Sequence, residues 1–251
     1  MAILFVASEA AELKPFAELL TGLRKLKWPV DYAYEGILDG KRFMLAANGA
    51  GPKLGAQAVE IAVRAMMAAE LSSSRLEAVV STGFCGALDP SLRERQIVLG
   101  TSVADGATEE TLSCEMVHAS PEGFVTGPVL TQDRIAITAA EKSTLAASGA
   151  IAVDMEASGV AVRTKRAGLP FYCIKVVSDR ADESFGFDLN RMRTTDGRIA
   201  RGKIVSYSLA HPGVLPELFR LKRRVEDAAK ALGDFLVSCR ILPELDSSLP
   251  R

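Results

Sequence analysis

The chain has 251 residues, a formal net charge of −1, 48% apolar residues and 24% charged residues. That size and balance allow one globular unit over 1–251, and nothing in the charge suggests a nucleic acid or membrane surface as partner. No apolar run reaches the length of a membrane span, the four cysteines lack disulfide or metal spacing, and two histidines make a histidine-rich metal site improbable, so a reducing cytoplasm and no metal or cofactor are expected.

In chain order, Ile3–Ala7 reads as a short buried strand rather than a leader segment. Glu12–Arg24 reads as a helix, with Leu13, Phe16, Leu19, Leu20 and Leu23 at helical spacing. Val30–Gly36 and Lys41–Ala47 form an expected antiparallel pair around Leu38-Asp-Gly40. Residues 53–71 read as a helix that is apolar around most of its circumference, which leaves a second face for a partner copy of the chain. Leu76–Ser81, Gln96–Val103 and Phe124–Thr131 are expected strands. Arg134–Ala147 is an expected helix, followed by a strand at Ala150–Asp154, a helix over 157–167 and a strand at Phe171–Val177. A long helix over 214–238 ends the pattern. Strands alternating with helices predict an α/β fold, a layered sandwich around a mostly parallel sheet. Asn190–Lys203 is rich in basic residues and glycine, and its plain reading is a solvated loop.

The candidate chemistry lies where strands end. Glu156 in Val153-Asp-Met-Glu-Ala157 and Asp179 in Val177-Ser-Asp-Arg-Ala-Asp182 each follow an apolar strand-like run, with one helix between them. A strand–helix–strand unit would bring both carboxylates to one rim of a parallel sheet, where ligands of such sheets gather. Two further segments end strands. Asn48-Gly-Ala-Gly-Pro52 opens a helix, and its glycines allow a ligand close to the backbone. Ser81-Thr-Gly-Phe-Cys-Gly-Ala-Leu-Asp-Pro90 reads as a second small-residue loop on the same rim. Neither fits a P-loop or a dinucleotide fingerprint. Each acid also has a structural explanation. Asp179 could cap the turn after its strand, Glu156 could complement a helix dipole, and Glu12 is an ordinary first-turn acid.

Together these pieces resemble the nucleoside phosphorylase/nucleosidase superfamily. They are most similar to its branch of 5′-methylthioadenosine/S-adenosylhomocysteine nucleosidases. The resemblance rests on Ala7–Leu13 with Glu12, Asn48-Gly-Ala-Gly51, Thr82-Gly-Phe-Cys-Gly-Ala-Leu88, Gln96-Ile-Val98, Val153-Asp-Met-Glu-Ala157 and Val177–Asp182. It implies a three-layer αβα sandwich, no metal, a small-molecule nucleoside as partner and a homodimer or larger assembly.

The resemblance also assigns roles. Asp179 would protonate the purine N7, kept partly neutral by apolar flanks such as Val176 and Val177, and Ser178 would orient it. Glu156 would accept hydrogen bonds from the ribose 2′- and 3′-hydroxyls, and Met155 would pack on the sugar. Glu12 would activate water. Gly51, Phe84, Cys85 and Gly86 fall in the segments that would line the pocket. Several positions depart from the branch. Phe84-Cys85 replaces a small serine-bearing loop, Leu130 stands nearest to where a stacking aromatic is expected, and Lys175 replaces an arginine. Cys85 has no histidine in pattern and reads as a buried structural thiol. The leading expectation is hydrolysis of a purine, adenine-type nucleoside. The first alternative is phosphorolysis, including that of the hopanoid-associated phosphorylases with an apolar 5′ substituent, which the chain resembles through Leu215-Pro-Glu-Leu-Phe219. The second is a non-catalytic nucleoside-binding protein. No arginine in the two glycine-bearing segments offers to hold phosphate, and Glu12 would repel it, which favours water.

Overall fold

The computed structural model describes residues 1–68, 75–118, 120–194, 198, 200, 203, 207 and 210–242. Its first strand, β1 (Ala2–Ala7), is six small or apolar residues, every one buried. It lies between β4 (Lys41–Ala47) and β5 (Leu76–Ala87), parallel to both. Side chains alternate across a strand, so β1 feeds two cores. Ala2, Leu4 and Val6 pack toward α2 (Pro52–Ala68) and α4 (Ala157–Arg166), through Ala58, Val59, Ala62, Val160 and Ala161. Ile3, Phe5 and Ala7 pack toward α1 (Ala10–Ala17) and α5 (Leu215–Ser238), through Leu13, Phe16, Leu232 and Phe235. The result is the expected three-layer αβα sandwich. Among the described residues no helix is long and apolar enough to cross a membrane.

The sheet is more mixed than the strand–helix alternation suggests. β2 (Thr21–Lys25), β3 (Tyr32–Leu38) and β4 run as an antiparallel meander along one edge. At the other side, β5 pairs in parallel with β10 (Phe171–Asp179) and antiparallel with β9 (Ala152–Asp154). β10 then pairs with β6 (Ile97–Asp105), β6 with β8 (Phe124–Thr131), and β8 with β9. These five strands therefore close into a ring, with the short β7 (Thr111–Ser113) attached to β6. Parallel and antiparallel pairings occur in equal number among the described strands.

Three elements differ from the reading of the sequence. The helix expected over Glu12–Arg24 stops at Ala17, and the chain turns into the edge strand β2. Leu19 and Leu23, which looked like core positions, are 45% and 43% exposed, and Gly22 sits at φ +61°, which breaks a helix. The β3–β4 hairpin forms as expected, through Asp39 and Gly40 at φ 50° and 73°, the signs of a type I′ turn. β5 does not end at Ser81. It continues to Ala87 because β10 and β9 pair with its far end, so residues 82–87 of the expected second loop are strand. The helix expected from Arg134 is α3 (Ala139–Ala146), which begins at a Thr138/Glu141 capping box. The helix expected over 53–71 is α2, and residues 69–71 lie outside the described residues. It buries Gly55, Ala58, Val59 and Ala62 and leaves Met67 71% exposed.

Candidate active site

The ends of β1, β5, β9 and β10 surround a cavity of about 710 Å³. Glu12, Met155, Glu156, Ser178, Asp179, Phe84, Cys85 and Gly86 all line it. The two carboxylates converge, but not as a parallel crossover would bring them. β9 enters antiparallel to β5, so Val153 lies against one side of Gly86 while Asp179 lies against the other. The antiparallel entry folds Glu156 back toward the site instead of away from it.

Glu12 belongs to the first turn of α1, and its carboxylate receives three donors. Oε2 accepts from Ser8 Oγ at 2.8 Å and from the Glu9 N–H at 2.7 Å, and Oε1 accepts from the Phe84 N–H at 2.8 Å. The helix-start contact to Glu9 is thus only part of its role, since the side chain also reaches β5. Gly83 permits this, because a Cβ there would lie 2.5 Å from Glu12 Oε1. Gly86 does the same for Asp179, whose Oδ2 would lie 3.0 Å from an added Cβ. Gly83 and Gly86 are three residues apart on one strand, ~10 Å along it, and each leaves space for one of the two carboxyl groups.

Burial pushes Glu12 above the usual carboxylate range, against the pull of its hydrogen bonds and of Lys175. Burial pushes Glu156 up further; Lys175 opposes it, while Asp154 and Glu12 reinforce it. The Glu156 carboxylate also accepts the Gly51 N–H. Beneath it, Lys175 Nζ lies 2.7 Å from Asp154 Oδ2, 3.8 Å from Glu156 Oε2 and 3.1 Å from the Thr82 carbonyl. Burial disfavours the Lys175 charge, but Asp154 and Glu156 outweigh it and hold the ammonium protonated. Asp154 also caps α4 through the Ala157 N–H at 2.9 Å and accepts Thr131 Oγ1 at 2.6 Å. The lysine in place of arginine is therefore the buried counter-charge of Asp154 and Glu156.

The opposite end holds a residue that sequence reasoning missed. Lys142, on α3 and fully buried, places Nζ 2.5 Å from Asp179 Oδ2. The same ammonium donates to the carbonyls of Arg180 at 2.6 Å and Glu183 at 3.2 Å, and lies 5.5 Å from the centre of the Phe185 ring. Ser178 Oγ lies 2.6 Å from Asp179 Oδ1. Asp179 thus faces a buried cation, and the expected surroundings of apolar flanks alone are not what the structure shows. A Thr138-x-x-Glu141 capping signature could have placed the start of α3, which the sequence reading puts at Arg134, but nothing marked Lys142 as facing the site.

Two expected lining residues lie elsewhere. Leu130 is buried in a cluster with Leu88, Ala150 and Val153 and does not line the cavity. Aromatic lining comes from Phe84, Phe185 and Phe219. Gly51 reaches the site through its N–H to Glu156 but lines an adjoining cavity of about 630 Å³. Arg193 borders both cavities and donates to the Ala50 carbonyl at 3.0 Å while pairing with Asp133 at 2.9 Å. So the basic 190–203 segment is not wholly a solvated surface: Arg193 is 12% exposed at its side chain and Met192 is buried, whereas residues 195–197, 199 and 201–202 lie outside the described residues. Cys85 is buried, and burial raises its thiol far above the range of a nucleophile. Among the described residues no cluster of three or more His, Cys, Asp or Glu could hold a metal ion.

The family model of the phosphorylase superfamily matches residues 2–122 and 111–206. The chain belongs to the phosphorylase superfamily. Membership makes it an enzyme acting on nucleosides, a hydrolase or a phosphorylase. No curated protein matches it by sequence. Among solved structures it is similar to a 5′-methylthioadenosine/S-adenosylhomocysteine nucleosidase from S. pneumoniae, with TM-score 0.69 and 14% identity over 95% of this chain and 97% of that one. The Neisseria meningitidis nucleosidase gives TM-score 0.66 and 19% identity over 94% and 99%. A futalosine hydrolase mutant of Helicobacter pylori gives TM-score 0.63 and 15% identity over 95% and 97%. At these identities the likeness shows the superfamily's fold.

Proposed function

We propose that the chain hydrolyses the N-glycosidic bond of a purine nucleoside and releases free base and free sugar. The observation that carries this reading is Glu12. It is a buried carboxylate held by three donors in the same cavity as Glu156 and Asp179, with its proton affinity raised toward neutrality by burial. A general base works best when its pKa approaches the working pH.

In this reading the base lies at the Asp179 end and the sugar between Glu156 and Glu12. Asp179 presents a proton to the purine N7 as the glycosidic bond lengthens. Once the proton has moved, a carboxylate is left in a buried site, and the Lys142 ammonium offsets that cost. Glu156 accepts the 2′- and 3′-hydroxyls and lies under the positive charge that develops on the sugar. Glu12 takes a proton from water as its oxygen bonds to C1′. Phosphorolysis is the second reading, and the observation in its favour is Arg193 at the cavity edge. Its terminal nitrogens are already committed to Ala50 and Asp133, however.

Sugar recognition tests the assignment. Wild-type protein should cleave a purine riboside at least tenfold faster in kcat/KM than its 2′-deoxy analogue, and Glu156→Gln should erase most of that difference. Equal rates on the two sugars in the wild type would remove Glu156 from the sugar site.

A further inference from the structure

Residues 180–188, after β10, are turn and irregular chain, yet they supply two of the acceptors that hold Lys142. The Arg180 and Glu183 carbonyls lie 2.6 and 3.2 Å from its Nζ, beside Asp179. Backbone without ladder hydrogen bonds keeps its place only where other elements grip it. α5 grips this segment at two points, about two turns apart on one side of the helix. Glu217 Oε1 accepts the Gly186 N–H at 2.7 Å. Arg224 Nη1 donates to both carboxylate oxygens of Glu183 at 2.7 Å. Arg224 Nη2 also lies 3.2 Å from Glu94 Oε1, in the turn that enters β6. That turn is itself bonded to β10, through the Arg95 N–H and the Val177 carbonyl at 2.8 Å.

Arg224 does not line the cavity, although Leu221 and Val225 beside it do. Its effect on the site must therefore pass through Glu183. An ammonium has three N–H donors and no preferred plane, so its aim depends on where its acceptors stand. With Glu183 held, Lys142 meets Asp179 Oδ2 and both carbonyls at once. With Glu183 loose, one of those acceptors drifts and the ammonium swings from the carboxyl group. Starting from the hydrolytic reading, in which Asp179 gives its proton to the base, we infer that Arg224 is a positioning residue for that transfer: it fixes the turn whose carbonyls aim Lys142 at Asp179. A guanidinium suits this task because its planar fork reaches two acids on two turns, which a point charge cannot. The Arg224 side chain is 17% exposed, and those of Glu183 and Glu94 are 27% and 35%. Water can therefore reach both acids once the arginine is removed, so the loss should fall on aim rather than on folding.

Arg224→Met, assayed on two leaving groups, tests this. On a purine riboside it should lower kcat/KM roughly tenfold, part of the ~10²–10⁴-fold that a general acid supplies. On para-nitrophenyl riboside, whose phenolate leaves without a proton near neutral pH, the loss should stay within about twofold. The two rates are compared within one protein sample, so the folded fraction cancels. A second measurement uses the purine substrate alone. Adding Arg224→Met to Asp179→Asn should cost no more than about twofold, because no acid is left to aim. Equal losses on both leaving groups, or an undiminished loss in the Asn background, would make Arg224 a structural tie and overturn the inference while the hydrolytic reading stands. If Asp179→Asn itself slows both substrates alike, Asp179 is not the acid, and that reading falls together with the inference.

Discussion

Lys142 and Asp179 separate stability from catalysis at the residue scale. Lys142→Met removes the buried ammonium that pairs with Asp179, and breaking such a pair costs about 3–5 kcal/mol. Asp179→Asn leaves Lys142 with two backbone carbonyls and an amide oxygen, so its stability should fall by much less. Its cleavage rate should nevertheless drop by roughly two to four orders of magnitude, the scale of a lost general acid. Urea denaturation beside steady-state rates reads both effects. An Asn variant that is the less stable of the two, or that keeps near-wild-type turnover, would contradict the assignment. Glu12 sets the acid side of the pH profile. Burial raises its pKa while Ser8 Oγ pulls it down, and water activation needs the ionised form. Activity should therefore fall as pH drops through a value above the ordinary carboxylate range. Ser8→Ala removes a donor to the charged form, so it should move that limb of kcat/KM to higher pH. A limb that stays in place or moves to lower pH would show that Glu12 is not the titrating base.

The approach of α4 to α2 at the element scale depends on Gly159. A Cβ at that position would lie 1.8 Å from the Pro52 carbonyl oxygen, a backbone atom that cannot swing aside. Gly159→Ala should cost about 3 kcal/mol. It should also weaken sugar binding, because the start of α2 carries the Gly51 N–H to Glu156. An unchanged denaturation midpoint would contradict the close crossing. The same elements show what could be read in the sequence. β1, the β3–β4 hairpin, α4 and β10 were legible because periodicity and turn residues report local preferences. The far half of β5 was not. Ser81–Ala87 is small and glycine-bearing and looks like a loop, yet it is strand because β9 and β10 pair with it from remote parts of the chain. Leu19 and Leu23 failed for the converse reason: helical spacing without a core to face. Glu12, Glu156 and Asp179 were found through short motifs. The counter-charge of Asp179, Lys142, lies on a separate helix, and only the folded chain brings the two together.

For the whole molecule, β5, β9 and β10 of the closed ring border the cavity on one side, and α5 borders it on another. The charges are buried in opposed sets: Lys175 with Asp154 and Glu156, Lys142 with Asp179. Glu12 alone has no cation bonded to it, only neutral donors. A phosphate dianion beside that carboxylate would meet like-charge repulsion of several kcal/mol in poorly screened surroundings. Water meets none. The most direct test is to incubate the enzyme with a purine riboside in buffer free of phosphate and identify the sugar product. The account predicts free base and free sugar, with a rate that added phosphate does not raise and that Glu12→Gln abolishes. Cleavage that requires phosphate and yields a sugar 1-phosphate would contradict it.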